Sequence, residues 1–340
     1  MIALIFCLCA ISMGVRDVYW PRAVRGDAGL AAVKASRGGI FLINGAVVCL
    51  AFAISVFTLL NIRGTERLWT SEPPATLAGI AACTAIAWVT ALAALFTRLG
   101  PARALVVDWG SLPLFQVIIA GLYGSYPSLQ SMGIALLALA GIGLYVWSPP
   151  AKPLEATGGD TLASAVRSAR NGFALSVLSA FFGAWTLQLT AGLDSSSIGV
   201  RNVSLAILPL RLGVTALLFC ALSWRQRSSL AVFRPLGVKS WGKLLLFAVA
   251  YVVPLSVCYA LLTPETLPDL ARALTLIAVS ALICDWLISS PPPRVARTEW
   301  VAFFLFGMGN LISLGPKPPH PLQSQPMVSQ GARTATQVQE

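Results

Sequence analysis

The chain has 340 residues, of which 56% are apolar and only 11% charged, and its net charge is +11. About a quarter of the residues of a soluble domain are charged, so this composition excludes a soluble globular protein. The basic residues lie between long uncharged runs without interleaved aromatics, which excludes a nucleic-acid-binding surface and favours contact with anionic lipid headgroups. We therefore expect a multi-pass protein of a plasma or inner membrane.

Ten apolar segments are candidates for membrane spans, because a bilayer crossing needs about 20 mostly apolar residues. In chain order they lie at about 1–15, 38–60, 76–97, 102–122, 129–147, 172–191, 204–223, 243–262, 270–289 and 299–314. Helices are the predicted element, since the ~10-residue alternation of a membrane β-barrel is not visible. The first segment is short, but it lacks the basic start and the cleavage site of a signal peptide, so we interpret it as a retained helix.

A constant offset of 169 residues relates the two halves of the chain. Ala-Arg-Ala-Leu at Ala102–Leu105 recurs at Ala271–Leu274, and the same offset pairs Gly14 with Gly183. This pattern predicts a duplication with repeats at 1–147 and 168–314, a polar linker at 148–167 and a disordered polar tail at 315–340. Five spans per repeat is an odd number, so the repeats must have opposite orientations. The predicted fold class is an all-α membrane protein with ten transmembrane helices in two inverted five-helix repeats.

The positions of the lysines and arginines support this inversion. The loop after the first predicted span holds five of them, whereas its repeat partner holds only Arg201. In contrast, the loop after the second span holds fewer basic residues than its repeat partner after the seventh span. Loops after the odd-numbered spans carry 17 of the 24 basic residues, and the positive-inside rule would place that side in the cytoplasm and both termini outside.

Three stretches of the first half have the pattern that ends a known type of repeat. Ser111–Phe115 carries a proline, Gly124–Gln130 forms a short turn, and Gly133–Gly143 is a glycine-rich helix. The second half, from Phe173 to Arg211, is similar to the opening of such a repeat. In these features, and in its ten spans, the chain resembles the drug/metabolite transporter superfamily, particularly its EamA-type members.

The resemblance implies a transporter of ten helices with cytoplasmic termini, which is the opposite of the orientation given by the charges. Many members carry Gly-Glu in the turn after the fourth helix. Here that turn reads Tyr123–Ser128 without a glutamate, and its counterpart at Ser289–Arg294 lacks the acid as well.

Ionisable groups within spans are candidate functional residues, because insertion of one costs about 2.5–3.5 kcal/mol. Asp285 in span nine has Gln116 in span four as its repeat equivalent, and we expect the two to face each other near the pseudo-two-fold axis. Asp285 is predicted to bind and release a proton, since burial favours the neutral carboxyl. The alternative is that it lies near the helix end and reaches headgroups or Arg294.

Other polar and aromatic residues complete the predicted substrate or proton pathway. Asp108 is interpreted as an interfacial partner of Arg98 or Arg103 in preference to a coupling residue. Arg211 would attract an anionic group or, alternatively, extend along its helix to water. The remaining candidates, each also compatible with simple packing, are Gln188, Trp185 and Tyr259.

Prolines within the spans free backbone carbonyls and are the predicted hinges of alternating access. They are Pro113, Pro209 and Pro254. The charged pair Arg16 and Asp17, by contrast, is interpreted as a surface ion pair after span one, with Tyr19 and Trp20 as interfacial aromatics.

No catalytic, metal or cofactor site is predicted. The single histidine, His320, lies in the polar tail, and Gly237–Leu244 lacks the Ser or Thr that completes a phosphate-binding loop. The sequence therefore predicts a secondary transporter, not an enzyme, that moves a small organic metabolite or drug by alternating access, coupled to protons or by exchange. The alternative is a non-transporting membrane scaffold or regulatory subunit with the same fold. Predicted partners are the solute and membrane lipid; the oligomeric state is not specified.

Overall fold

The computed structural model describes residues 2–59, 73–123, 129–147, 162–191, 200–261 and 276–288, with a few positions between 297 and 305. In this part of the chain nearly all residues are α-helical. The helices are α1 (Ile2–Arg25), α2 (Ala28–Ala35), α3 (Gly39–Leu59), α4 (Pro74–Ala94), α5 (Pro101–Leu122), α6 (Leu129–Trp147), α7 (Leu162–Ala191), α8 (Val200–Arg225), α9 (Val238–Ala260) and α10 (Leu276–Ile288). A short 3₁₀ helix, Leu230–Phe233, lies between α8 and α9.

Nine of the ten predicted spans coincide with helices, and the tenth, 299–314, lies mostly outside the described residues. Among the described helices, seven are long and apolar enough to cross a membrane: α1, α3, α4, α5, α7, α8 and α9. Shorter apolar stretches occur at Ala135–Leu144 in α6 and at Leu276–Ile288. The protein is therefore a helical, multi-pass membrane protein.

The first helix is longer than the sequence predicted, because it continues past residue 15 to Arg25. Its buried positions include Met13, Asp17, Trp20 and Val24, which recur every three to four residues and so form one face of the helix. The charged residues lower the local hydropathy and so ended the predicted span, whereas buried residues continue at helical spacing beyond them. The extension changes the environment of the predicted surface ion pair.

Helix α2 is too short to cross a membrane and lies against α1 and α3 at one end of the bundle. Its N-cap is Asp27, whose carboxylate accepts a 3.0 Å hydrogen bond from the Leu30 N–H. Leu30 and Val33 are the buried residues of this helix. The turn into α3 passes through Gly38, whose φ of +70° is costly for other residues.

Two contacts show that loops after odd-numbered predicted spans meet at one end of the bundle. The Ser228 hydroxyl donates to the Arg37 carbonyl at 2.6 Å, which joins the end of α8 to the start of α3. The Arg98 N–H donates to the Ser168 hydroxyl at 3.2 Å, which joins the α4–α5 turn to the start of α7. These loops hold most of the lysines and arginines, so we call this end the basic face.

Most contacts between helices join a helix of the first half of the sequence to a helix of the second half. Helix α4 packs against α7 and α8, α5 against α7, and α3 against α8. Helix α1 packs against α9 and α10, α9 also against α3, and α10 also against α5. The large fully buried side chains of this bundle include Phe6, Trp20, Leu212, Phe219 and Leu244.

Candidate functional site

An ion pair lies inside the helical bundle, where the sequence had predicted a surface pair. Arg16 Nε donates to Asp17 Oδ1 at 2.6 Å, and the two side chains are only 10% and 12% exposed. Fourteen residues into α1, the pair lies about 20 Å along the helix from Ile2. Arg16 also contacts α9, with Nη1 3.4 Å from the Ala250 carbonyl and the guanidinium carbon 4.6 Å from the centroid of the Tyr251 ring. The surface interpretation was wrong because α1 continues into the bundle.

Aromatic side chains pack in pairs in the same part of the bundle as this ion pair. Trp88 meets Tyr251 edge to face, with ring centroids 5.6 Å apart. Trp20, expected at the interface, is 1% exposed and stacks on Phe247 with centroids 4.0 Å apart. Its Nε1 donates to Asn44 Oδ1 at 2.9 Å. Asn44 is fully buried, and its Nδ2 has no hydrogen-bond partner among the described residues. The packing of α1 in this part of the bundle therefore combines aromatic surfaces with one amide donor.

A second carboxylate joins the pair from α5. The Asp108 carboxylate is hydrogen-bonded to the Ser179 hydroxyl of α7 and lies close enough to Asp17 to interact with it electrostatically. We call Arg16, Asp17 and Asp108 the charged cluster. It contains one cation and two anions, so full ionisation leaves one negative charge to be neutralised by a proton or by a ligand. Such an arrangement can bind a small polar solute and exchange a proton.

Asp285 lies outside the charged cluster, at the basic face. Its Oδ1 accepts from Arg22 Nη2 at 2.6 Å, and the two side chains are 20% and 28% exposed. A second pair at the same face joins Asp27 to Lys243, with Oδ2 and Nζ 2.8 Å apart. Each of these pairs joins a residue of the first half of the chain to one of the second half.

The structure does not bring Asp285 and Gln116 face to face. Helix α5 begins at the basic face, where α10 ends, so the two helices run in opposite directions. They cross where Val106 packs against Leu282. Beyond that crossing, α5 continues about 15 Å away from the basic face to Gln116, which is exposed, whereas α10 continues towards it to Asp285. Matched positions of antiparallel helices meet only at their crossing point, which is the reason for the separation.

Three other predicted site residues lie near the end of α7 away from the basic face. Arg211 of α8 is 6% exposed, and its Nη2 donates to Thr190 Oγ1 at 2.7 Å. Trp185 Nε1 donates to the Tyr123 hydroxyl at 3.2 Å. Gln188, on the same part of α7, is half-buried. These residues are therefore separate from both the charged cluster and the Asp285 ion pair.

The predicted hinge prolines all lie within continuous helices. Helix α5 runs through Pro113, α8 through Pro209 and α9 through Pro254. The side chains of Pro113 and Tyr259 are outside the described residues. Their roles as hinge and ligand contact stay predictions.

An apolar groove of about 450 Å³ lies between α4 and α8. Its lining consists of Pro74, Leu77, Ala78, Ala81, Leu210 and Val214. None of these belongs to the charged cluster, so we do not place a polar solute in this groove. Within the described ranges, no group of three or more His, Cys, Asp or Glu side chains is arranged to hold a metal ion.

Sequence reasoning included Asp108 among the candidate site residues but missed Arg16 and Asp17, although a signal for them existed. Arg16 and Asp17 break the hydropathy of the first span, yet apolar residues continue at helical spacing through Trp20 and Val24. The partners Asn44 and Tyr251 are distant in sequence, and no local pattern links them to α1. Only the hydrogen bond from Trp20 to Asn44 and the packing of α1 against α9 bring them together.

No protein-family model matches the chain, and no curated protein matches it either. The resemblance to drug/metabolite transporters therefore stays a prediction from the sequence.

Proposed function

We propose that this protein is a secondary transporter that moves a small organic solute across a membrane by alternating access. One observation carries the proposal: the charged cluster is buried between helices of both halves of the chain. Arg16 and Asp17 come from α1 and Asp108 from α5, whereas their contacts Ser179 and Tyr251 come from α7 and α9. Buried charges in a membrane are costly, and a solute pathway between two repeats is a common reason for them.

The order of helix packing supports the proposed arrangement of two inverted five-helix repeats. If each helix is replaced by its repeat equivalent, the α4–α7 contact becomes the α9–α1 contact, the α5–α7 contact becomes α10–α1, and the α4–α8 contact becomes α9–α3. All of these contacts are present. The α3–α8 and α5–α10 contacts convert into themselves. A pseudo-two-fold axis between repeats at 1–147 and 168–314 would produce this pattern.

The two ion pairs at the basic face fit a gate of alternating access. Asp27–Lys243 and Arg22–Asp285 each cross between the proposed repeats. Movement of one repeat relative to the other at this face would have to break both. We therefore propose that the structure represents a state closed at the basic face, and that these pairs separate when the pathway opens there.

Within the transporter, we propose Asp108 in place of Asp285 as the proton-linked residue. Asp285 is paired with Arg22, whereas Asp108 shares its environment with a second carboxylate, Asp17. Two neighbouring carboxylates favour the binding of a proton between them, and release of Arg16 to a solute would increase that tendency. Arg16 is the proposed contact for an anionic group of the solute, and Trp88 and Tyr251 supply the adjacent aromatic surface.

The proposal is tested with purified protein reconstituted in liposomes. A metabolite panel is first screened for compounds that raise the unfolding temperature, since a ligand at a hundred times its Kd adds about 2.7 kcal/mol. Stabilising compounds are then tested for counterflow. We expect flux with the native protein, no flux with the folded double variant Arg16→Gln/Asp17→Asn, and nearly native flux with Gln116→Ala.

A folded native protein that responds to no solute and shows no flux would contradict the transporter proposal. The scaffold or regulatory-subunit function would then be the better explanation. Flux that survives in the double variant would support transport but reject the charged cluster as its site.

A further inference from the structure

The connection between α8 and α9, taken with the adjacent helix ends as residues 224–241, lies at the membrane surface of the basic face. Both flanking helices are long and apolar enough to cross a membrane, so the chain that joins them lies at the bilayer interface. The connection is also fixed to the bundle. The Ser228 hydroxyl donates to the Arg37 carbonyl at 2.6 Å, and the buried Leu236 lies so close to Gly29 of α2 that a β-carbon there would be 2.8 Å from Leu236 Cδ2. Its exposed side chains therefore have a defined position relative to the membrane.

Large apolar side chains of this connection are exposed. Trp224 near the end of α8, Leu230 of the 3₁₀ helix and Val238 at the start of α9 are between 73% and 90% exposed. The exposed Trp241 ring of α9 lies beside the Phe233 ring of the 3₁₀ helix, with centroids 6.0 Å apart, which joins these two elements into one surface. Exposure of this surface to water would be unfavourable, whereas the region between headgroups and acyl chains accommodates apolar and aromatic side chains.

Cationic side chains alternate with these apolar ones along the connection. Four of them are exposed: Arg225, Arg227, Arg234 and Lys239. None of the four forms an ion pair within the described part of the chain, and the sequence has no aspartate or glutamate between residues 195 and 264. Arg227 has a φ of +53°, a conformation that favours glycine. The chain therefore keeps an arginine where the backbone alone would favour another residue, which indicates a use for its side chain.

We propose that residues 224–241 form an interfacial anchor that binds the headgroups of an anionic lipid leaflet. The exposed side chains of Trp224, Leu230 and Val238 enter the boundary between headgroups and acyl chains, while the arginines and lysine pair with lipid phosphates. A lipid surface fits better than an acidic protein, because apolar and cationic side chains alternate along a segment that two membrane-spanning helices hold at the interface. The anchor is independent of the proposed transport, since none of its residues belongs to the charged cluster.

The test uses the full-length purified protein with an equimolar mixture of phosphatidylglycerol and phosphatidylcholine, and native mass spectrometry measures the ratio of the two lipids retained. One double variant, Arg227→Gln/Arg234→Gln, removes charges of the anchor, and another, Trp224→Gln/Leu230→Gln, removes exposed apolar side chains. The matched control, Arg167→Gln/Arg170→Gln, removes two exposed arginines from the start of α7 at the same face. The rescue variant, Arg227→Lys/Arg234→Lys, keeps the charges.

We expect the preference for phosphatidylglycerol to fall fivefold or more in both anchor variants, and less than twofold in the control and rescue variants. Arg227→Gly separates lipid binding from folding: it should unfold at no lower temperature than the native protein, because glycine suits the backbone there, yet retain less phosphatidylglycerol. An equal loss in the control variant would show diffuse attraction and overturn the anchor.

Two further results would also contradict the proposal. Loss of preference in the arginine variant alone, with none in Trp224→Gln/Leu230→Gln, would show attraction by charge without entry into the membrane. A folded native protein with no preference for phosphatidylglycerol would reject the lipid surface, and an acidic protein partner would then be the better explanation of residues 224–241.

Discussion

Gly14 of α1 lies so close to Ser280 of α10 that a β-carbon on Gly14 would overlap the serine hydroxyl. The same β-carbon would also overlap the Ile277 carbonyl, and the Ala281 nitrogen would be 3.2 Å away. At Gly183, the repeat equivalent in α7, the nearest atom would be Leu112 Cδ1 at an ordinary 3.6 Å. The two aligned glycines therefore have different roles: the first permits close helix packing and the second does not require it.

Replacing Gly14 by alanine should destabilise the bundle by about 2 kcal/mol, because backbone atoms of α10 cannot move aside as a flexible side chain would. Gly183→Ala is the matched control and should be neutral or slightly stabilising, since alanine favours a helix by up to about 1 kcal/mol over glycine. Unfolding in detergent measures both. Equal stabilities of the two variants would contradict the close approach of α1 and α10.

Removing one charge of the buried ion pair should lower the free energy of unfolding more than removing both charges. Arg16→Gln leaves Asp17 buried without its cation, at an expected cost of about 3 kcal/mol. Arg16→Gln/Asp17→Asn removes both charges and keeps polar side chains at both positions, so it should be clearly more stable than that single variant. The comparison is made by thermal unfolding of the three proteins. If the double variant proved the least stable, the pair would not be buried as described.

Acid should weaken the contact between α2 and α9. The hydrogen bond from Lys243, helped by those from Leu30 and Ser240 and opposed by burial, lowers the pKa of Asp27 to about 2. A lowered carboxylate pKa stabilises the fold above its unfolded value of about 4, and this contribution disappears as the pH falls from about 4 through about 2. The Lys243 side chain is 40% exposed, so we expect only about 1 kcal/mol.

Asp27→Asn retains an N-cap oxygen but loses the charge, so it is the suitable variant for this measurement. Its stability should be lower than that of the native protein at pH 6, and the difference should shrink towards pH 2. Lys243→Gln should reduce the pH dependence in the same window. Parallel stability curves for the native protein and the Asp27→Asn variant down to pH 2 would rule out the ion pair as the cause.

Asp108 and Asp285 should respond differently to removal of their charges. In liposomes, Asp108→Asn should abolish the pH dependence of flux, because the proposed proton site is lost. Asp285→Asn should retain that pH dependence and change the rate, because it weakens a contact at the basic face. Initial rates measured from pH 5.5 to 8 distinguish the two. The opposite result would return the coupling role to Asp285, as the sequence predicted.

The sequence was sufficient to predict the class of protein and the positions of most helices. Apolar runs of span length exclude a soluble fold because so much apolar surface cannot be hidden from water. The apolar runs also mark where the helices lie, so the predicted segments, such as 38–60 and 102–122, agree with α3 and α5 within a few residues. The inverted repeat was also a sequence prediction, and it stays one.

Which residues form the charged cluster could be recognised only from the tertiary structure. Arg16 and Asp17 appear in the sequence as the charged end of a short span, and only contacts with Tyr251 and Asp108, both distant in sequence, make them an interior cluster. Likewise, the repeat offset aligned Gln116 with Asp285, but antiparallel α5 and α10 carry them towards opposite ends of the bundle. Hydropathy is a local property that fixes which segments enter the membrane. Helix length, direction and crossing point decide which polar groups meet inside it, and these are set by packing between distant segments.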